Sequence, residues 1–373
     1  MRRDIRTVLG LLGCLAVSVS IPALAQDNDD DDRPAAKAAT SATAKASGAR
    51  RDADDDDKDK DGKRQEEVDS EKIFGFTEGS DTDEAGEKEF TTDFRGRFGK
   101  RRAVRVSRQK GADDDTPSPV TAPSTIYIPR GFYTALNNVT GFEYGITDNL
   151  EFEFGVASAY YRVRNIFELE NRNNGGFDGL SSELKWRILK RGTFPIGLSV
   201  AVEPEWRRFD EVSGERINGF GLGLRLLADA ALVPNQVFVA ANLTYEPEAS
   251  RVRGAGKFLF DEDTETLTFK PNQWERESNL EASGALVARV APNIFLGAEL
   301  RFLTKYEGLF FREFEGRALF AGPSFYTDLS ERARLKIAWS YQLAGKAADD
   351  PGHSLDLVNY ERHQVRVQFS LNF

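Results

Sequence analysis

Cysteine is almost absent from this 373-residue sequence: Cys14, in an apolar stretch near the start, is the only one. No disulfide can form within the chain and no cysteine cluster can hold a metal, so a long chain must find its stability elsewhere. Long apolar runs are also missing. After Ile21 no segment stays apolar for the ~18 or more residues that a spanning helix needs, and the mean hydropathy is negative. That excludes a later spanning helix but not a membrane barrel, whose strands cross with alternate residues and hide their apolar content from a hydropathy window. Positive charge is in deficit, with 50 Lys and Arg against 60 Asp and Glu. An acidic balance argues against a nucleic-acid partner.

The first residues supply a compartment. Arg2, Arg3 and Arg6 form a positive head, Thr7 to Ile21 an apolar stretch too short to span, and Ala23-Leu24-Ala25 a small-residue cleavage site, which predicts a signal peptide over residues 1–25. A lipoprotein box at Leu11-Leu12-Gly13-Cys14 is the weaker reading, because the apolar run continues past Cys14. Residues 26–87 are mostly Asp, Lys, Ala, Ser and Gly, with almost no large apolar side chain before Ile73. Such a stretch cannot bury enough surface to offset the entropy of ordering, and it predicts a disordered acidic tail in the periplasm. Within it Asp57, Asp59 and Asp61, followed by Gly62, match the first half of a calcium loop. Val68 stands where the bidentate Glu belongs, so a solvated charge run is the stronger reading; no cofactor is expected.

Over residues 88–373 alternation recurs segment after segment. Phe90, Thr92, Phe94, Gly96 and Phe98 oppose Glu89, Thr91, Asp93, Arg95 and Arg97; Phe152, Phe154 and Val156 oppose Glu151 and Glu153. Successive strand side chains point to opposite faces, so one face is apolar and the other charged. The last segment ends the same way, with Val365, Val367, Phe369, Leu371 and Phe373 against Gln364, Arg366, Gln368 and Asn372. The pattern predicts an all-β, transmembrane, antiparallel up-and-down barrel of about 12 strands, with short periplasmic turns and long outward loops. A soluble sheet would also alternate, but charged residues at mid-strand and aromatic residues near strand ends favour a barrel. One segment, 316–326, is apolar on both faces and contains Pro323, which leaves its register open.

The charged face defines a lumen. Glu143, Glu151, Glu153, Glu183, Glu203 and Glu205 form an expected acidic wall; Arg95, Arg97, Arg225, Arg289, Arg301, Arg334, Lys336 and Arg366 form an expected basic wall. Opposed walls would orient small polar or charged solutes and predict a passive channel, whereas pairing across the interior would give a closed, charge-filled barrel. A lipid-modifying enzyme is a third reading through His363 at the outer rim, but no suitable Ser accompanies it, and His353-Ser354 are adjacent in a loop. Lys100, Arg101, Arg102, Arg105, Arg108 and Lys110 form a cationic loop segment that suits lipopolysaccharide phosphates, although an ordinary solvated loop is the stronger reading.

The final aromatic-ended strand resembles that of Gram-negative outer-membrane β-barrels, which implies that Phe369, Leu371 and Phe373 are read by the barrel assembly machinery and that the chain resides among outer-membrane lipid and lipopolysaccharide. More specific strings are Phe74-Gly75-Phe76-Thr77-Glu78-Gly79-Ser80-Asp81, Gly96-Arg97-Phe98-Gly99-Lys100, Glu143-Tyr144-Gly145-Ile146-Thr147-Asp148 and Glu203-Pro204-Glu205-Trp206. Together they are similar to a group of largely uncharacterised proteobacterial barrels related to outer-membrane transporters. That resemblance covers residues 74–373 and implies a fold, not a solute.

Overall fold

The structure, a computed structural model, describes residues 68–107, 125–254, 256–261, 266–270 and 272–373. Twelve antiparallel strands close into a barrel: β1 Lys88–Phe98, β4 Phe132–Thr147, β5 Leu150–Arg164, β6 Arg172–Leu189, β7 Gly197–Phe209, β8 Arg216–Val233, β9 Val237–Val252, β12 Glu275–Ala291, β13 Ile294–Glu307, β14 Glu313–Asp328, β15 Ala333–Ala347 and β16 His363–Asn372. Two hairpins lie outside the barrel, β2 Arg105–Ser107 with β3 Thr125–Tyr127, and β10 Lys257–Asp261 with β11 Thr266–Lys270. Closure pairs the first barrel strand with the last, from Glu89 opposite Asn372 to Phe98 opposite His363. The barrel itself therefore has no unpaired edge, as a membrane interior requires of a strand structure.

Alternation fixes which side of each strand meets lipid. Phe90, Phe142, Phe152, Phe154, Leu184, Trp186, Leu224, Leu226, Leu243, Leu286, Leu300 and Trp339 are exposed on the outer surface. Their neighbours Glu89, Glu143, Glu151, Glu183, Lys185, Arg301 and Arg366 are buried inside. A one-residue slip would exchange these sets and carry charge into lipid at roughly 2–4 kcal/mol for a Lys or Arg near the midplane. Aromatic pairs such as Phe177 with Trp206 (6.0 Å) and Phe220 with Trp274 (6.3 Å) stand near one end of the belt.

Strand β14 explains why the alternation around Pro323 was hard to read. Its pairing with β15 runs from Gly316 to Ala321 and resumes at Ser324, leaving Gly322 and Pro323 out of the ladder. Proline has no N–H to give, so it sits where the ladder is already broken. Short turns join the strands at one end of the barrel, and the longer connections 165–171, 210–215, 308–312 and 348–362 gather at the other, where Phe98, Phe132, Val252 and Glu275 also end their strands. We call these the turn end and the loop end.

Candidate functional site

The lumen holds the charged face, and residues 68–87 occupy its turn end. This differs from the expectation that the tail stays disordered to residue 87. Ile73 and Phe74 supply the apolar surface that a polar composition conceals, and the wall provides a place to bury it. Ser70, Glu71, Lys72, Ile73, Phe74, Thr77, Ser80, Thr82 and Asp83 are all buried. The string Phe74 to Asp81 is thus a lumen segment, and residues 26–67, with Asp57, Asp59 and Asp61, lie outside the described residues.

Each part of this plug finds a wall partner of opposite character. Lys72 donates to Glu89 and, at 2.8 Å, to Glu143; Lys185 donates to Glu71 at 2.8 Å. Glu78 pairs with Arg225 at 2.6 Å, and Asp81 with Arg191 at 3.0 Å and Arg187 at 3.4 Å. The Glu299 carboxylate accepts from two successive backbone N–H groups, Gly75 at 2.5 Å and Phe76 at 2.7 Å, while Arg366 donates to the Gly75 carbonyl at 2.9 Å. Such charge-assisted bonds satisfy backbone that would otherwise be buried unpaired. Gly75 is required here: a Cβ would stand 2.6 Å from that of Ala338 and 2.9 Å from the Glu299 oxygens.

The apolar anchor is equally specific. Ile73 and Phe74 pack against inward-facing Phe238, Val287, Phe295 and Tyr326, contributed by four neighbouring strands at the turn end. Phe295 lies 6.2 Å from Phe238 and 5.7 Å from Tyr326, ring centre to ring centre. The sequence reading missed these wall residues. Their signal was present as apolar residues on both faces at Val237-Phe238-Val239, Leu286-Val287 and Ile294-Phe295-Leu296.

The expected walls are distributed as follows. Glu143 meets Lys72, Glu151 accepts from the Asp83 N–H at 2.9 Å, and Glu183 and Glu203 both meet Arg225, the latter at 3.2 Å. Glu205 meets Arg207 at 3.2 Å, and Glu153 lines the central cavity. On the other wall Arg366 binds Asp93 at 3.0 Å, Arg334 binds Glu89 at 3.0 Å, Arg95 binds Asp93 at 3.1 Å, and Lys336 lines the cavity. Arg301 forks onto Glu281 at 2.8 and 2.9 Å and stacks over the Phe76 ring at 4.3 Å. Arg97 reaches Glu211 at 2.6 Å near the loop end. Arg289 is exposed at the turn-end rim, where it donates to the Pro292 carbonyl at 2.9 Å and lies over the inward-facing Phe295 ring at 5.4 Å. Acidic Glu89, Asp93, Glu281 and Glu299 therefore interrupt the basic wall. What remains between plug and loops is a cavity of about 100 Å³ lined almost wholly by charged and polar groups, among them Glu153, Glu203, Arg95, Lys336 and Gln368.

At the loop end the 348–362 connection folds inward. Asp356, Tyr360 and Glu361 are buried, and Tyr133 donates to Val212 at 2.8 Å and Glu361 at 3.3 Å. Lys100, expected in the cationic outer segment, instead turns inward to the Val358 carbonyl at 2.7 Å, 3.7 Å from Glu361. Its side chain is fully buried, and that burial lowers the ammonium to about 8 despite Glu361. Arg101 pairs with Asp350 and lies over the Phe167 ring at 4.5 Å; Arg108 and Lys110 lie outside the described residues. His363 stacks on Trp339 (6.0 Å) beside Tyr341 (5.1 Å), Ser340 is buried on the opposite face, and His353 bonds Asp350 at 2.6 Å.

Residues 128–373 match a family described as a family of unknown function, DUF6662. No curated protein matches. Among solved structures, the COG4313 outer membrane channel from Pseudomonas putida F1 is 13% identical with a TM-score of 0.49, over 79% of this chain and 98% of that one. The translocator domain of autotransporter NalP from Neisseria meningitidis is 13% identical with a TM-score of 0.43, over 79% and 91%. The Pseudomonas putida toluene transporter TodX is 11% identical with a TM-score of 0.36, over 77% and 89%. None of these likenesses carries an argument about a solute. The chain belongs to the DUF6662 family, and it folds as a closed antiparallel β-barrel of twelve strands with an apolar outer face.

Proposed function

We propose that the chain is an outer-membrane channel for small polar or charged solutes, closed in this state by its own residues 68–84, with the turn end toward the periplasm. The observation that carries the reading is the character of the plug's contacts. The wall groups that Glu71, Lys72, Glu78 and Asp81 occupy are ion-pairing side chains. Withdrawal of the plug would leave them lining a wet, charged passage, which suits selection of small ions or zwitterions. The plug is covalently continuous with the barrel through Glu87 into β1 and lies in no strand ladder, so its departure breaks no strand pairing.

A closed, structural barrel is the second reading, favoured by the inward-folded 348–362 loop at the other mouth. Planar-bilayer currents separate the two. The mature chain should show rare openings, and a chain lacking residues 68–84 should conduct steadily with a reversal potential that responds to salt gradients. A deletion chain that inserts, shows the heat-shifted gel mobility of a folded barrel and passes no current would reject the channel.

A further inference from the structure

We propose that the plug is fastened to the barrel wall by a bound calcium ion, held by Glu71 of the plug with Glu143 of β4 and Glu151 of β5. One carboxylate oxygen from each of these buried residues lies within 4.8 Å of those of the other two, and a second group, Asp83, Glu89 and Glu143, shares Glu143. Two donors on one calcium ion at ~2.3–2.6 Å can stand no more than roughly 5 Å apart, so this spacing admits calcium. The donor set is all oxygen, which suits a hard cation.

The built-in cations do not complete the cluster. Lys185 takes Oε1 of Glu71, and Lys72 takes Oε2 of Glu143 together with Glu89. Arg334 reaches Glu89 but is shared with Asp69. Five carboxylates (Glu71, Asp83, Glu89, Glu143 and Glu151) thus face three cations. Independently of the clustering, Oε2 of Glu71 and Oδ2 of Asp83 are buried without any hydrogen-bond partner, on residues only 9% and 4% exposed. A buried carboxylate oxygen without a partner is costly, and a divalent ion at Glu71, Glu143 and Glu151 would satisfy the Glu71 carboxylate and supply part of the missing charge. Glu71, Glu143 and Glu151 also share the lining of the central cavity, which gives the ion room and an approach.

The proposal stands on plug-to-wall geometry and is tested without reference to conduction. The mature chain, folded in detergent and stripped with a chelator, is titrated with calcium by calorimetry in a background of Asp57→Asn, Asp59→Asn and Asp61→Asn, which removes the upstream carboxylates. About one equivalent should bind, and Glu71→Gln with Glu151→Gln should weaken binding at least about tenfold, since affinity follows ligand charge. Glu211→Gln, at the far mouth, should leave it unchanged. If Glu151→Gln impairs folding, Glu71→Gln alone reads the same loss, because Glu71 lies on no strand. A folded chain that binds no calcium, or binds it equally with Glu71 and Glu151 replaced, overturns the site; such a chain satisfies its acids with protons or water.

Discussion

At the turn end the lumen is stopped by residues 68–84, joined to the wall on one side only, whereas at the loop end it is stopped by the 210–215 and 348–362 connections, each held by strands on both sides. The chemistry differs as well. The turn-end closure combines an apolar anchor at Ile73 and Phe74 with ion pairs to several strands. The loop-end closure is held by backbone bonds such as Arg362 N–H to Gly99 (2.8 Å) and Gln342 N–H to Arg362 (2.9 Å), around buried Lys100, Asp356 and Glu361. A closure that can leave without breaking the sheet needs interactions that tolerate water when it goes. Charged groups do, since buried ion pairs gain little over hydrated ones; the net hold then falls largely to the apolar anchor.

The largest effect expected from a single substitution is therefore at the charged contact that cannot be rehydrated in place. Lys72→Glu would set a third carboxylate against Glu89 and Glu143, all buried, and uncompensated buried charge costs about 3–5 kcal/mol. The plug should leave while the barrel stays folded. Because Cys14 is the only cysteine, a Thr77→Cys reporter makes the plug separately readable. Labelling of that buried site by a membrane-impermeant thiol reagent should be slow in the parent and fast with Lys72→Glu. Equal slow labelling in both would show that the plug is held as firmly as the wall, and the contrast between the two mouths would fail.

Phe74→Ala sharpens the same contrast from the apolar side. Deleting a fully buried phenylalanine costs about 3–5 kcal/mol where the site cannot collapse, but at a lumen surface water can fill part of the gap, so the lower end applies. Thr77→Cys labelling should rise, less than with Lys72→Glu, and the thermal unfolding of the barrel should hardly move. An unfolding midpoint that falls together with faster labelling would mean that Phe74 supports the wall itself.

The outer face of this barrel was legible residue by residue because lipid imposes a local rule: each strand must present every second side chain as apolar, whatever its neighbours do. Leu184-Lys185-Trp186 and Phe152-Glu153-Phe154 state their orientation without reference to any other segment. The lumen was legible only in outline. That Glu143, Glu151 and Arg366 face inward follows from alternation, but their partners Lys72, Asp83 and Gly75 come from a stretch whose composition reads as unstructured. Its order depends on a surface assembled from β9, β12, β13 and β14, a tertiary fact that no window along the chain contains. Lys100 failed for a related reason. A cation in a basic loop reads as solvated, and only the inward fold of 348–362 brings the Val358 and Tyr360 carbonyls within its reach.

The smallest expected effect lies at the loop end and depends on pH. Burial holds Lys100 at about 8 against an ordinary 10.5; Glu361 and Asp356 pull it upward, and Arg97 and Lys305 reinforce the lowering. Between these values the opened loop binds the proton more tightly than the closed one, so closure gains stability as pH rises from about 8 toward 10.5 and is constant below about 8. Nicking of the 348–362 loop by an added protease should slow across that window in the parent relative to a Lys100→Met chain measured at the same pH. Thr77→Cys labelling should show no such difference, because Lys100 contacts no part of the plug. A ratio of nicking rates that stays flat from pH 7 to 10 would remove Lys100 from the closure, and a parallel change at Thr77→Cys would show that the two mouths open as one unit.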